Sequence, residues 1–449
     1  MKPVDFLINE AENLQFVLDQ TLRYDYGLDG SREFYEECCA RLKHIKSELK
    51  IIDAADVEVV CEVAKDIDDL SELICRIERS SLGEYSWPFV EEFKEISKEI
   101  CTEIRDVGPP RIPKVHVIAE GGLSSYSIYS DPNRELGKRR IFTIVFPRTL
   151  KHYVLLHTIL GHEVGHAIYN LPKVQGKLDD IFLTHFVTPN KIFKDQKTVV
   201  QWLYSANAPE DVRGELNKLE IDHSIGSKDF FFAFASYDSW IQEFLCDFIG
   251  LLMFGPSFLA AHTDLLYSSD PNGDGIHDDH PFTALRVNIL LTAAEVLGYD
   301  QWVFDQRIQS AVNDFWKDLF AKRQTDPWYD IFPKSSIKQT IEHLKEYLAT
   351  FEGALYPKPA IGEIEKLVTK ILDRCPPVGY QYDNGPQCSH VDFRQIIFAG
   401  WIAHAHKSTK VKKTKITFSE INRLCEHGIM QQASIKLMLN NKNKRTRSK

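Results

Sequence analysis

At Val107–Pro113, "VGPPRIP", the periodicity of the chain changes, and that change limits the folds open to it. Before it, "ARLKHIKSELKII", "VEVVCEVAKDI" and "FVEEFKEISKEICTEI" place apolar residues three and four apart, the spacing of amphipathic helices. Two adjacent prolines cannot continue a helix. Beyond them "KVHVIAE", "LSSYSIYS" and "RRIFTIVF" are β-rich segments bounded by Gly-Gly, Asp-Pro-Asn and Pro, and they read as strands. The helical stretch "YVLLHTILGHEVGHAIY" follows at once, and a second helical segment, "YDSWIQEFLCDFIGLLMF", comes about 70 residues later. From about residue 320 the chain is helical again, broken by "YPKPAIG" and "CPPVGYQYDNGP".

This order predicts an α+β protein in four parts: a helical N-terminal domain over 1–108, a central domain over 109–320 and a helical C-terminal domain over 321–440. A basic flexible tail is expected over 441–449. The 449 residues suffice for two or three domains, and a hydrophobic share of 43% with 26% charged residues excludes wholesale disorder. A formal charge of −10 argues against a nucleic-acid binder, although the last forty residues are basic and leave such a contact open there.

The N-terminus meets acidic residues within its first ten positions and has no long apolar run, so no signal peptide is expected. The most apolar window, "FIGLLMFGPSFLAAH", is cut by Gly255-Pro256, so no membrane span is expected. Nine cysteines without a repeating spacing argue against a disulfide framework and for a reduced, cytoplasmic setting.

Within "LGHEVGHAIYN", His162 and His166 stand four apart, slightly more than one helical turn, so both imidazoles project from one face and can bind one ion. Glu163 sits beside the first of them, where a carboxylate can reach a metal-bound water without ligating the metal. That set suits a zinc hydrolase: two nitrogen ligands, an open coordination position and a neighbouring base. A long chain can carry such a triplet by chance on an ordinary buried helix, so a third ligand is needed. "WIQEFLCDFIG" supplies Glu243 as that ligand and, four residues on, Asp247 to accept the free ring N–H of a ligating histidine. Two carboxylates on so apolar a helix are costly unless metal and histidine neutralise them; the alternative is that both face solvent.

"HEVGH" followed by "QEFLCDFIG" resembles the gluzincin pattern HExxH…ExxxD, and with the downstream "DDHPFTALRVNIL" it resembles the CAAX-prenyl-protease and HtpX-like metallopeptidases. The likeness covers roughly residues 111 to 295. Phe282 stands where that family commonly has a second proline, Cys246 where it commonly has alanine, and the segment 171–239 reads as an insertion beside the cleft.

The resemblance implies a zincin-like catalytic domain, a small β-sheet with the HExxH helix, between helical flanks. It further implies one Zn2+ held by His162, His166 and Glu243, Glu163 as general base, and Asp247 behind the ligands. It matches His280 and Arg286 to the family's downstream His and Arg. Two roles are open: either can stabilise an oxyanion, and Arg286 can equally be an ion-pair partner of Glu243 or Asp247. "RRIFTIVFPRTL" lies where the family's edge strand pairs with an extended substrate.

The expectation is a zinc peptidase acting on a protein or peptide, with a restricted substrate. The alternative is a zinc-binding interaction or regulatory protein with little or no proteolysis. The sequence says nothing of oligomeric state.

Four further signals carry less. "DPNGDG" (Asp270–Gly275) opens like a calcium loop but has Pro281 where the bidentate glutamate belongs. Cys375, Cys388 and His390 match no ligand spacing, and His277 does not match the family pattern as His280 does. "HAHK" at 404–407 reads as the cationic end of a helix.

Overall fold

A computed structural model describes residues 3–21, 29–53, 56–81, 87–101, 114–119, 126–130, 141–169, 228–272, 280–281, 283–299, 310–323, 334–358, 361–379, 391–406 and 416–447. Most of the segment 171–239, with His277, Phe282, Cys388 and His390, lies outside them. The chain is mostly helical, with thirteen α-helices and one three-stranded sheet among the described residues, an α+β composition. It divides into two compact units, Met1–Lys151 and His152–Lys449.

The first unit begins with helices α1 (Pro3–Thr21), α2 (Asp29–Glu48), α3 (Val57–Ser81) and α4 (Trp87–Ile100). The first three bury one and the same pattern. Leu7, Ala11, Leu14 and Leu18 of α1, Cys38, Leu42, Ile45 and Leu49 of α2 and its end, and Val63, Ile67, Leu70 and Ile74 of α3 are each spaced four, three and four apart. Each set therefore forms one stripe down a helix, and the three stripes close on a common core. Strands β1 (Lys114–Ala119), β2 (Ser127–Ser130) and β3 (Ile141–Phe146) follow, with β1 lying against α2, α3 and α4.

The strand expected at the sheet edge is the central one. The order is β1-β3-β2, with β3 parallel to β1 from Lys114↔Ile141 to Ala119↔Phe146 and antiparallel to β2 from Ser127↔Val145 to Ser130↔Phe142. The physical reason lies in its composition: Thr143 to Phe146 are buried on both faces, and a strand covered on both sides is a nearly continuous apolar run.

The second unit opens with a 3-10 turn at Leu156–Ile159, so only the last part of "YVLLHTILGHEVGHAIY" is α-helical: α5, Leu160–Tyr169. Helix α6 (Lys228–Phe254) is buried without interruption from Glu243 to Phe254, and α5 packs along it. As the Gly-Pro pair predicts, α6 stops before Gly255 (φ 59°), and α7 (Pro256–Ser269) starts on Pro256. A side chain on Gly255 would meet the Tyr356 ring as well as strain the backbone.

The last carbonyls of α6, which have no partner within the helix, are answered from far along the chain: Tyr356 N donates to Leu252 O at 2.7 Å and Arg394 Nη1 to Met253 O at 3.0 Å. Helices α8 (Thr283–Val296), α9 (Ser310–Phe320), α10 (Lys334–Leu348), α11 (Ile361–Leu372), α12 (Phe393–Ala405) and α13 (Phe418–Arg447) complete the unit.

Two of the late helices hold the entry to α5. Leu155 N donates to Asn422 Oδ1 of α13 at 3.0 Å, and Leu155 O accepts from Trp401 Nε1 of α12 at 3.1 Å. Helix α13 continues to Arg447, through most of the basic run expected as a flexible tail; cationic residues suit the carbonyl end of a helix. No helix of the described residues is long and apolar enough to cross a membrane.

Candidate metal centre

Helices α5 and α6 cross at contact distance of their backbones because small residues line the seam. A Cβ on Gly161 would stand 2.9 Å from the Gly250 Cα, and one on Gly165 would stand 2.6 Å from the Cys246 Cα. That crossing brings the polar face of α5 onto the carboxylates of α6.

Four donor atoms then converge. His162 Nε2 and His166 Nε2 stand 3.0 Å apart; Glu243 Oε2 is 3.3 Å from the first and Glu243 Oε1 3.3 Å from the second. A tetrahedral ion with bonds of 2.0–2.1 Å spaces its ligand atoms about 3.3 Å apart, so these edges fit one ion. Both imidazoles are turned by their outer nitrogens. His162 Nδ1 donates to Asp247 Oδ1 at 2.8 Å, which turns Nε2 inward as the atom that would take an ion once its own proton is displaced. The outer nitrogen of His166, Nδ1, faces the side-chain amide of Gln242, whose Nε2 stands 3.3 Å away.

Two other groups of three donor side chains lie close enough to hold an ion: His162, His166 and Cys246; and His162, Asp247 and His262. Cys246 packs against Gly165. Burial, with the charges of Glu243 and Asp247, pushes its thiol well above the usual range; Glu243 sets one carboxylate oxygen 3.3 Å from each imidazole Nε2. In the other group the Arg286 guanidinium already stands among the donors.

Arg286, on α8, is 3% exposed and cannot meet a substrate. Its Nε donates to Asp247 Oδ2 at 3.0 Å and its Nη2 to Asp247 Oδ1 at 2.7 Å, while Nη2 lies 3.1 Å from Glu243 Oε2. Of the two roles open to it in the sequence, the geometry supports the ion pair and not the oxyanion contact. His280 is placed differently. It is 52% exposed, with Nε2 3.6 Å from Glu243 Oε1, at the open side of the cluster. Glu163 is half-buried on α5, and its charge reaches Cys246.

The electrostatics follow from packing several charges into one buried volume. Burial opposes charge on His162, but Glu243 and the hydrogen bonds with Asp247 and Glu243 outweigh it and lift the pKa to about 10. Burial, reinforced by the charge on His162, takes His166 down to about 4. Glu243 is held at about 2 against burial by His162 and Arg286, and Asp247 well below the carboxylate range against burial by Arg286.

His262, on α7, stacks on His162 (centroids 5.4 Å, 23°) and on Phe258 (4.9 Å, 16°). The Phe258 ring occupies space that only a glycine at 250 leaves open. Burial, opposed by Asp247, takes the His262 pKa down to about 4. A lone histidine in "FLAAHTD" reads as an ordinary core residue, and nothing in its spacing points to the cluster.

No protein-family model, curated protein or solved structure matches the chain.

Proposed function

We propose that the chain is a zinc-dependent peptidase with a zincin-like catalytic centre, hydrolysing peptide bonds in a restricted protein substrate. The observation that carries the reading is the mutual 3.0–3.3 Å spacing of His162 Nε2, His166 Nε2 and the Glu243 carboxylate, with Glu163 next in sequence to the first. Two imidazoles and one carboxylate are a donor set that suits zinc and leaves one coordination position open.

When bound there, the ion would polarise a substrate carbonyl and acidify a water. Glu163 takes a proton from the attacking water as the C–O bond forms and the carbonyl π electrons move to oxygen, then gives it to the amide nitrogen, so that the carbonyl re-forms as the C–N bond breaks and the amine departs. His280, exposed beside Glu243, is the side chain able to donate to the carbonyl oxygen as it gains charge. Asp247 and Gln242 keep both ligand rings in one orientation throughout.

The test is metal content by elemental mass spectrometry beside cleavage of a peptide library. Wild type and Glu163→Gln are expected to carry one zinc and Glu243→Ala none, with cleavage by wild type alone. A wild type that takes up no zinc refutes the reading. One that binds zinc and cleaves nothing favours a zinc-binding regulatory protein instead.

A further inference from the structure

Arg286 lies near enough to Glu243 to disable it. A guanidinium that donates to a carboxylate oxygen occupies the lone pair a metal would use, and Arg286 Nη2 is 3.1 Å from Glu243 Oε2. Yet Glu243 Oε2, fully buried, accepts no hydrogen bond from Arg286; its other near neighbour is His162 Nε2 at 3.3 Å. Nη2 carries two hydrogens, and both are engaged elsewhere: one on Asp247 Oδ1 at 2.7 Å, the other on His262 Nε2 at 3.0 Å.

We propose that His262 is a positioning residue, which accepts the second Nη2 hydrogen of Arg286 and thereby keeps the Glu243 carboxylate free to bind the metal. Arg286 then contributes charge to Glu243 without capping it, while its directed bonds fix Asp247, and through Asp247 the ring of His162.

The rest of the His262 environment agrees. To accept at Nε2, a neutral imidazole must carry its proton on Nδ1, and His262 Nδ1 is buried with no hydrogen-bond partner among the described residues. Leaving such a group unpaired is costly. A phenylalanine would fill the same slot between Phe258 and His162 without that cost. What the imidazole adds over a benzene ring is the acceptor at Nε2. That nitrogen also stands 2.9 Å from Asp247 Oδ1. The bond from Arg286 Nη2 needs a lone pair on that nitrogen, whereas a bond to Asp247 Oδ1 needs its proton, so the tautomer of His262 decides between the two.

The inference rests on the metal-site reading above, and three measurements separate the two. The first is zinc affinity by chelator competition, with the visible spectrum of the cobalt-substituted protein, for wild type, His262→Phe and His262→Gln. Phenylalanine keeps the stack and removes the acceptor; glutamine loses the stack and restores an acceptor. His262→Phe is expected to weaken zinc binding by about tenfold or more and to alter the cobalt spectrum, with His262→Gln recovering most of both. Equal affinity and spectra for wild type and His262→Phe overturn the proposal, as does a folded His262→Gln as weak as His262→Phe.

The second is 15N NMR of the metal-free wild type, which needs no variant to fold. A proton on His262 Nδ1 is expected; a proton on Nε2 overturns the proposal. The third is the wild-type zinc titration itself. Absence of binding there removes the metal-site reading and this inference with it, whereas binding unaffected by His262→Phe removes this inference alone.

Discussion

Gly165 and Cys246 meet so closely that a Cβ on the glycine would stand 2.6 Å from the Cys246 Cα and 2.9 Å from its Sγ. The obstacle is helix backbone, which a rotamer change cannot move. The spacing of the candidate donors is therefore set by the crossing of α5 and α6, and any residue larger than glycine in the seam spreads them. Gly165→Ala gains about 1 kcal/mol of intrinsic helix propensity. We expect overpacking of about 1–3 kcal/mol to outweigh it. Thermal unfolding and zinc titration check this: Tm and affinity should both fall, and a variant as stable as wild type with unchanged affinity would show that the seam is not tight.

Asp247 serves two elements at once, accepting from His162 on α5 and twice from Arg286 on α8. Asp247→Asn puts an amide N–H₂ against a donor on one side or the other and leaves Arg286 buried without its countercharge. Breaking a buried pair in this way costs about 3–5 kcal/mol. Loss of the bond to the ligand ring weakens metal binding by about 10–100-fold. Urea unfolding of the metal-free protein and chelator competition read the two effects separately. A variant that loses neither would mean that Asp247 does not orient His162.

The facing histidines hold a proton where the ion would sit. With His162 at about 10, His166 at about 4 and Glu243 at about 2, the metal-free cluster carries one proton on its ligand nitrogens across neutral pH. Binding a cation expels it, so apparent zinc affinity should rise by about tenfold per pH unit between roughly pH 5 and 9. Because the folded pKa of His162 is raised, its contribution to metal-free stability is full below the unfolded value, about 6.5, and is lost as pH rises through about 10. The zinc-loaded protein should not show that alkaline loss. Calorimetric titration in two buffers of different ionisation heat counts the proton released, and a count of zero would contradict the assignment.

What the sequence shows of this arrangement is what local periodicity can encode. The four-residue spacings of His162–His166 and Glu243–Asp247 put each pair on one helix face, and the structure faces those pairs toward each other at 3.3 Å or less. The halt of α6 at Gly255-Pro256 and the three strands are legible for the same reason. Sheet order is not local. "RRIFTIVF" is apolar at successive positions, a sign of burial on both faces, yet its neighbours on either side are decided by the chain path. His262 is less legible still, since an isolated histidine in an apolar helix acquires its role only from the rings and the guanidinium packed around it. The seam has a visible trace in the glycines at 161 and 165 framing the motif, but their partners, Gly250 and Cys246, lie some 80 residues away.

The late helices reach the same centre through the turn that precedes α5. The amide of Leu155 donates to Asn422 and its carbonyl accepts from Trp401, so both polar groups of one peptide segment are satisfied by α12 and α13. The Met253 carbonyl at the end of α6 depends on Arg394, which Asp392 holds at 2.8 Å. Removing residues 391–449 therefore strips the Leu155 amide and the Met253 carbonyl of these partners, at the ends of both helices that carry the donor atoms. Each such group costs about 1–3 kcal/mol. Asn422→Ala alone should lower stability by that order while the zinc stoichiometry stays at one. The truncated chain should lose zinc together with its cooperative unfolding transition. A truncated protein that unfolds cooperatively and still binds one zinc would mean that the helices after 390 form an independent domain with no part in holding the site.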